Sequence, residues 1–97
     1  VPAAVANMTA LPVAGSAHLV SCLFDSLNFL LSPDDVRAAM RSFAKALAPG
    51  GVLYFDLVTE KMVTTHFAGK KWKEINDGMP TTWDSRYAPE RKLSETY

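Results

Sequence analysis

The sequence predicts an α/β fold: strand, capped helix and second strand joined as a βαβ unit, with an antiparallel β-hairpin appended. Three observations predict it. Residues 18–24 (HLVSCLF) and 52–58 (VLYFDLV) are apolar runs of strand length without alternation, which suits parallel strands buried on both faces. Between them lies a segment whose start, periodicity and stop are all helical. From Gly69 onward the texture turns mixed and amphipathic, as in a hairpin.

Each element has its own signal. Residues 1–6 are short, apolar and β-compatible, ending at Asn7; Thr9-Ala10-Leu11-Pro12 and Ala14-Gly15-Ser16 read as loops. After the first long strand, Asp25-Ser26-Leu27-Asn28 places polar groups where that strand should end. Ser32 is a good helix N-cap, Pro33 fits the first helical position, and Asp34 and Asp35 favour the positive end of the helix dipole. Val36, Met40, Phe43 and Leu47 make one apolar stripe, and Arg37, Arg41 and Lys45 a solvated face. Pro49-Gly50-Gly51 stops the helix. Residues 60–67 suit a short helix. In residues 81–87, Trp83, Ser85 and Tyr87 alternate with Thr82, Asp84 and Arg86; Ala88-Pro89-Glu90-Arg91 is a turn, and a strand resumes over 92–97.

The 97 residues allow one domain at most, and 48% apolar with 21% charged residues is an ordinary globular composition. Ten acids balance ten bases, so no basic excess points to nucleic acid. No run of eighteen apolar residues predicts a membrane span, and the opening VPAAVANMTALP lacks a basic leader region. A soluble, cytoplasmic chain is expected. Cys22 is the single cysteine, inside a strand, and reads as an apolar filler. Through Pro33 the only formal charge is Asp25, so this third of the chain should be almost wholly buried. A small domain cannot cover both faces of such a sheet, and the chain reads as an interior cut from something larger.

Four motifs occur in order: Ala6-Asn7-Met8-Thr9-Ala10-Leu11-Pro12, Leu19-Val20-Ser21-Cys22-Leu23-Phe24-Asp25-Ser26-Leu27-Asn28, Leu47-Ala48-Pro49-Gly50-Gly51 and Val52-Leu53-Tyr54-Phe55-Asp56-Leu57. Together they resemble the second half of a class I S-adenosylmethionine-dependent methyltransferase of small-molecule type, over roughly residues 3–58. The later hairpin resembles an antiparallel sheet inserted in some members. The resemblance implies part of a Rossmann-like methyltransferase sheet over residues 1–67 and an incomplete antiparallel insertion over 68–97. It implies the cofactor S-adenosyl-L-methionine and methyl transfer to a small-molecule substrate. The family's glycine-rich turn and ribose-binding acid are absent from these residues, so the chain is expected to be a fragment, inactive by itself. Family words have also changed: Asn7 and His18 stand where aspartates are usual. That loss supports an alternative, a non-catalytic association module on the same scaffold.

In an open α/β sheet, ligands sit at the carboxyl ends of the strands. The resemblance places Asn7 at the adenine amino group, Met8 near the ring, Leu23 and Phe24 beside the methionine part, and Asp25 on the cofactor's ammonium group or the substrate. Each has a plainer role: Asn7 as a turn residue, Met8 as core, Asp25 as a cap. Asp56, inside an apolar run, is either at the strand's functional end or structurally paired, and the structural reading is favoured. No catalytic base is assignable; His66 is a weak candidate, and His18 lies at the wrong end of its strand. Two isolated histidines do not make a metal site. Trp72, Trp83, Tyr87 and Tyr97 either line a substrate pocket or cover an apolar face, and covering is expected. Partners other than substrate are limited to self-association through exposed sheet surface.

Overall fold

The computed structural model describes residues 2–97, which divide into two compact units, the first ending at Leu57 and the second running over Val58–Tyr97. The first holds β1 (Ala17–Cys22), a 3-10 turn (Ser26–Phe29), α1 (Pro33–Ala46) and β2 (Leu47–Phe55). The second holds α2 (Glu60–Met62), which runs into a π turn (Val63–Phe67), and then β3 (Lys71–Asn76), β4 (Met79–Ala88) and β5 (Leu93–Thr96). The α/β class and the βαβ unit are as the sequence predicts.

Strands β1 and β2 pair in parallel, with Val20 opposite Leu53 and Cys22 opposite Phe55. Helix α1 starts where expected: the Ser32 hydroxyl accepts the Asp35 amide at 3.1 Å, with Pro33 behind it. Its last carbonyls are not left open. Lys45 and Ala46 accept the amides of Gly15 and Ser16, at 2.7 and 3.2 Å, from the loop that leads into β1. Pro49-Gly50-Gly51 does not form a plain turn. It bulges within β2, so that Ala17 faces Leu47 while Leu19 already faces Val52. Gly50 takes a φ of 79°, and Gly51 has no room for a Cβ, which would stand 2.9 Å from the Ala48 carbonyl and 3.0 Å from that of Ala17.

The core of this unit is Cys22, Leu27, Ala39 and Phe43, with Met8, Leu11, Val20, Leu30, Met40 and Leu53 against it. The helix buries Ala39, Ser42, Phe43 and Ala46. The expected stripe therefore holds at Met40 and Phe43, while small residues beside it make the closest approach and Leu47 belongs to β2. Arg37, Arg41 and Lys45 are exposed, as expected.

Two expectations fail here. Residues 2–6 form no strand among the described residues, because an extended segment needs a neighbour to hydrogen-bond to and none lies beside it. The apolar first third is not buried either: Leu19 is 62% and Val52 57% exposed, on the sheet face opposite α1. One helix covers one face.

In the second unit the expected hairpin is a three-stranded antiparallel sheet, β3-β4-β5. The added strand is β3. Asp77 and Gly78, with φ of 50° and 76°, form the tight turn into β4. Trp72 pairs with Trp83 across the strands, ring centroids 6.2 Å apart. Trp83, Ser85 and Tyr87 share the more buried face of β4. Tyr87 donates to the Glu60 carboxylate at 2.5 Å, and the Tyr97 ring lies 5.3 Å from the Arg86 guanidinium. Trp72, Trp83 and Tyr87 are half-buried, whereas Tyr97 is 64% exposed and covers little.

Candidate functional site

The carboxyl ends of β1 and β2 lie side by side, because the strands are parallel and in register at Cys22 and Phe55. The chain leaves β1 through Leu23, Phe24 and Asp25 and re-enters the core at Leu27, which is 3% exposed. That anchor lets the three preceding residues stand out: Leu23 is 37% and Phe24 88% exposed. Phe24 and Asp25 are both left-handed, with φ of 58° and 51°. Non-glycine residues in this region cost on the order of 1 kcal/mol or more each, so the pair persists only where its surroundings impose it.

The imposing group is Asp56, one residue past β2. Its Oδ2 accepts the Phe24 amide at 2.8 Å and its Oδ1 the Asp25 amide at 2.7 Å. The Asp56 amide in turn donates to the Cys22 carbonyl at 3.2 Å. The structural reading of Asp56 was correct, and its detail was not legible in sequence. A carboxylate following an apolar strand gives no hint that two amides 31 and 32 positions earlier will be its partners. The loop is closed further by the Ser26 hydroxyl, which donates to the Leu23 carbonyl at 2.7 Å, and by the Asn28 amide on the Asp25 carbonyl at 2.9 Å.

Asp25 precedes the 3-10 turn without capping it through its side chain. Its carboxylate is exposed and has no ion pair among the described residues. Such a group is available to an ammonium ion.

Asn7 and Met8 occupy the turn before β1. The Asn7 Oδ1 accepts both the amide and the hydroxyl of Thr9, at 3.0 and 2.8 Å, and its carbonyl accepts the Ala10 amide at 3.0 Å. This is an Asx turn, so the amide oxygen already serves the loop and the NH2 group remains to meet a ligand. Met8 packs on the core cluster. A shallow groove of about 390 Å³ lies between this turn and α1, lined by Thr9, Leu11, Arg41, Ser42 and Lys45 among others. None of the five expected cofactor residues borders it.

Burial raises the Cys22 thiol above its ordinary value, and the charge of Asp56 adds to the effect. The thiol stays protonated and packs, in line with the filler reading. His18 and His66 are both exposed. Among the described residues, no three His, Cys, Asp or Glu side chains gather as a metal set, and no helix is long and apolar enough to cross a membrane.

No family model matches the chain, and no curated protein matches it. Among solved structures, it is similar to a S-adenosylmethionine-dependent methyltransferase from Clostridium acetobutylicum ATCC 824. The TM-score is 0.81 at 20% identity, over 97% of this chain and 37% of that one. The likeness shows that the two chains share a fold, and this chain spans little more than a third of that protein's length.

Proposed function

We propose that the chain is part of a S-adenosylmethionine-dependent methyltransferase that acts on a small molecule, and that it supplies one side of the cofactor crevice. The observation that carries this reading is the loop at the carboxyl ends of β1 and β2. There an Asp25 carboxylate with no ion pair among the described residues and an 88% exposed Phe24 ring are held on a hydrogen-bonded turn, in a fold shared with a methyltransferase. A cationic amino-acid moiety fits a free carboxylate, and an apolar ring fits the chain and nucleoside beside it.

When bound, S-adenosylmethionine supplies an electrophilic sulfonium methyl group to a nucleophilic atom of the substrate. These residues contribute binding and orientation. Asp25 holds the ammonium or the substrate, Leu23 and Phe24 flank the methionine part, and Asn7 and Met8 meet the adenine. For Asn7 the free donors reverse the expected polarity: its NH2 group addresses a ring nitrogen, since its oxygen is taken by Thr9. The remaining binding groups, a glycine-rich turn and an acid for the ribose, belong in this reading to further segments of a longer protein. The 37% coverage supports it.

Calorimetric titration of the full-length protein with S-adenosylmethionine is the test, with the 97-residue chain alone as the comparison. Saturable binding by the former and little by the latter is the expected result. Absence of binding, in a complete reading frame without a glycine-rich turn, would replace the enzyme with a non-catalytic association module on the same scaffold.

A further inference from the structure

The Asp56 carboxylate holds two consecutive amides, one with each oxygen, and those amides belong to the two residues that display the ring and the charge of the crevice. Left-handed backbone suits glycine; a phenylalanine avoids it more strongly than an aspartate does. The clamp also joins two elements. Asp56 follows β2 and its partners follow β1, and its own amide on the Cys22 carbonyl extends the strand pairing by one step. Side chains displayed by a strained turn point where the turn sends them.

We propose that Asp56 is the positioning residue of this crevice: by holding the Phe24 and Asp25 amides it keeps both residues left-handed, and so sets the direction of the Phe24 ring and the Asp25 carboxylate. It acts through those two residues and touches neither cofactor nor substrate. The direction given to the backbone is read from the geometry alone. Its consequence for ligand binding rests on the methyltransferase reading above.

Asp56→Asn is the direct test, because it keeps the shape and one acceptor and loses the charge and the second. Two readouts are taken on the full-length protein: amide hydrogen exchange at Phe24 and Asp25, and calorimetric titration with S-adenosylmethionine. Exchange at both amides should accelerate, and affinity should fall by about tenfold, the scale of one charge-assisted hydrogen bond. Glycine rescue separates positioning from general damage. In the Asp56→Asn background, Phe24→Gly should bind more tightly than Phe24→Ala, because glycine takes the left-handed conformation without the clamp. With Asp56 present the two should bind alike. If Asp56→Asn does not fold, Asp56→Glu, which keeps the charge but moves it by one methylene, carries the same comparison. Faster exchange with unchanged affinity would overturn the positioning role and leave the methyltransferase reading standing. No binding by the wild type would remove the methyltransferase reading and the ligand half of this inference together. Unchanged exchange would then overturn the clamp itself.

Discussion

Asp25 and Asp56 are two carboxylates at one sheet end with opposite employment. Asp56 accepts one backbone amide on each oxygen, whereas the Asp25 carboxylate is exposed and has no ion pair among the described residues. A substitution at Asp25 should therefore cost binding and not folding. Asp25→Asn keeps the side chain's shape and its tolerance of the left-handed region, so the melting temperature should hold. Affinity for S-adenosylmethionine should fall by about tenfold to a hundredfold, as for a lost charged hydrogen bond of roughly 1.5–3 kcal/mol. Calorimetry and thermal denaturation on the same variant decide it. A drop in melting temperature with unchanged affinity would assign Asp25 to the turn. Asn7 shows why residue-scale reading from sequence stops short. Its position before Met8 was legible, but the partner of its oxygen, Thr9, was a matter of loop geometry.

At the level of elements, local signals were strong wherever one short stretch contains its own reason. The Ser32-Pro33 start of α1 needs only the next few residues to operate. Gly51 is different, since part of its reason is local, in the Ala48 carbonyl, and part lies across the sheet in the Ala17 carbonyl. Gly51→Ala would press a methyl group on two backbone oxygens, which cannot rotate away. A loss of about 1–3 kcal/mol in urea denaturation is expected; an unchanged midpoint would show that β2 shifts freely. In the second unit, the hydrogen bond to Glu60 raises the Tyr87 phenol above its ordinary 10.0. The stabilisation it brings is complete below about pH 10 and is lost as pH rises through the higher folded value. Tyr97 is raised likewise, by its bond to Glu95. Alkaline unfolding of the chain, followed by circular dichroism, should become less steep in Tyr87→Phe and flatter still with Tyr97→Phe added. A wild-type slope in both variants would place the alkaline sensitivity elsewhere.

On the scale of the whole molecule, the first unit leaves an apolar sheet face uncovered. Leu19, Val52 and Tyr54, 62%, 57% and 63% exposed, stand opposite the face that α1 buries. Apolar surface beside unpaired strand edges favours association. The isolated 97-residue chain should therefore self-associate with rising concentration in sedimentation velocity. Lysines at Leu19 and Val52 should shift it towards monomer without loss of circular dichroism. A monomeric wild type across the concentration range would show that this face is tolerated bare.

The sequence by itself determined the α/β class, the capped helix, its solvated basic face and the alternation of β4, because each follows from periodicity or from groups a few residues apart. It also marked the carboxyl ends of the two parallel strands, through Asp25 and Asp56 at the ends of the apolar runs. Only the tertiary structure decided that Asp56 holds the Phe24 and Asp25 amides, that Phe24 and Asp25 are left-handed, and that the Ala17 carbonyl of the neighbouring strand lies against Gly51. Those facts depend on residues about thirty or more positions apart brought together by parallel pairing, and no local pattern records the partner across such a crossover.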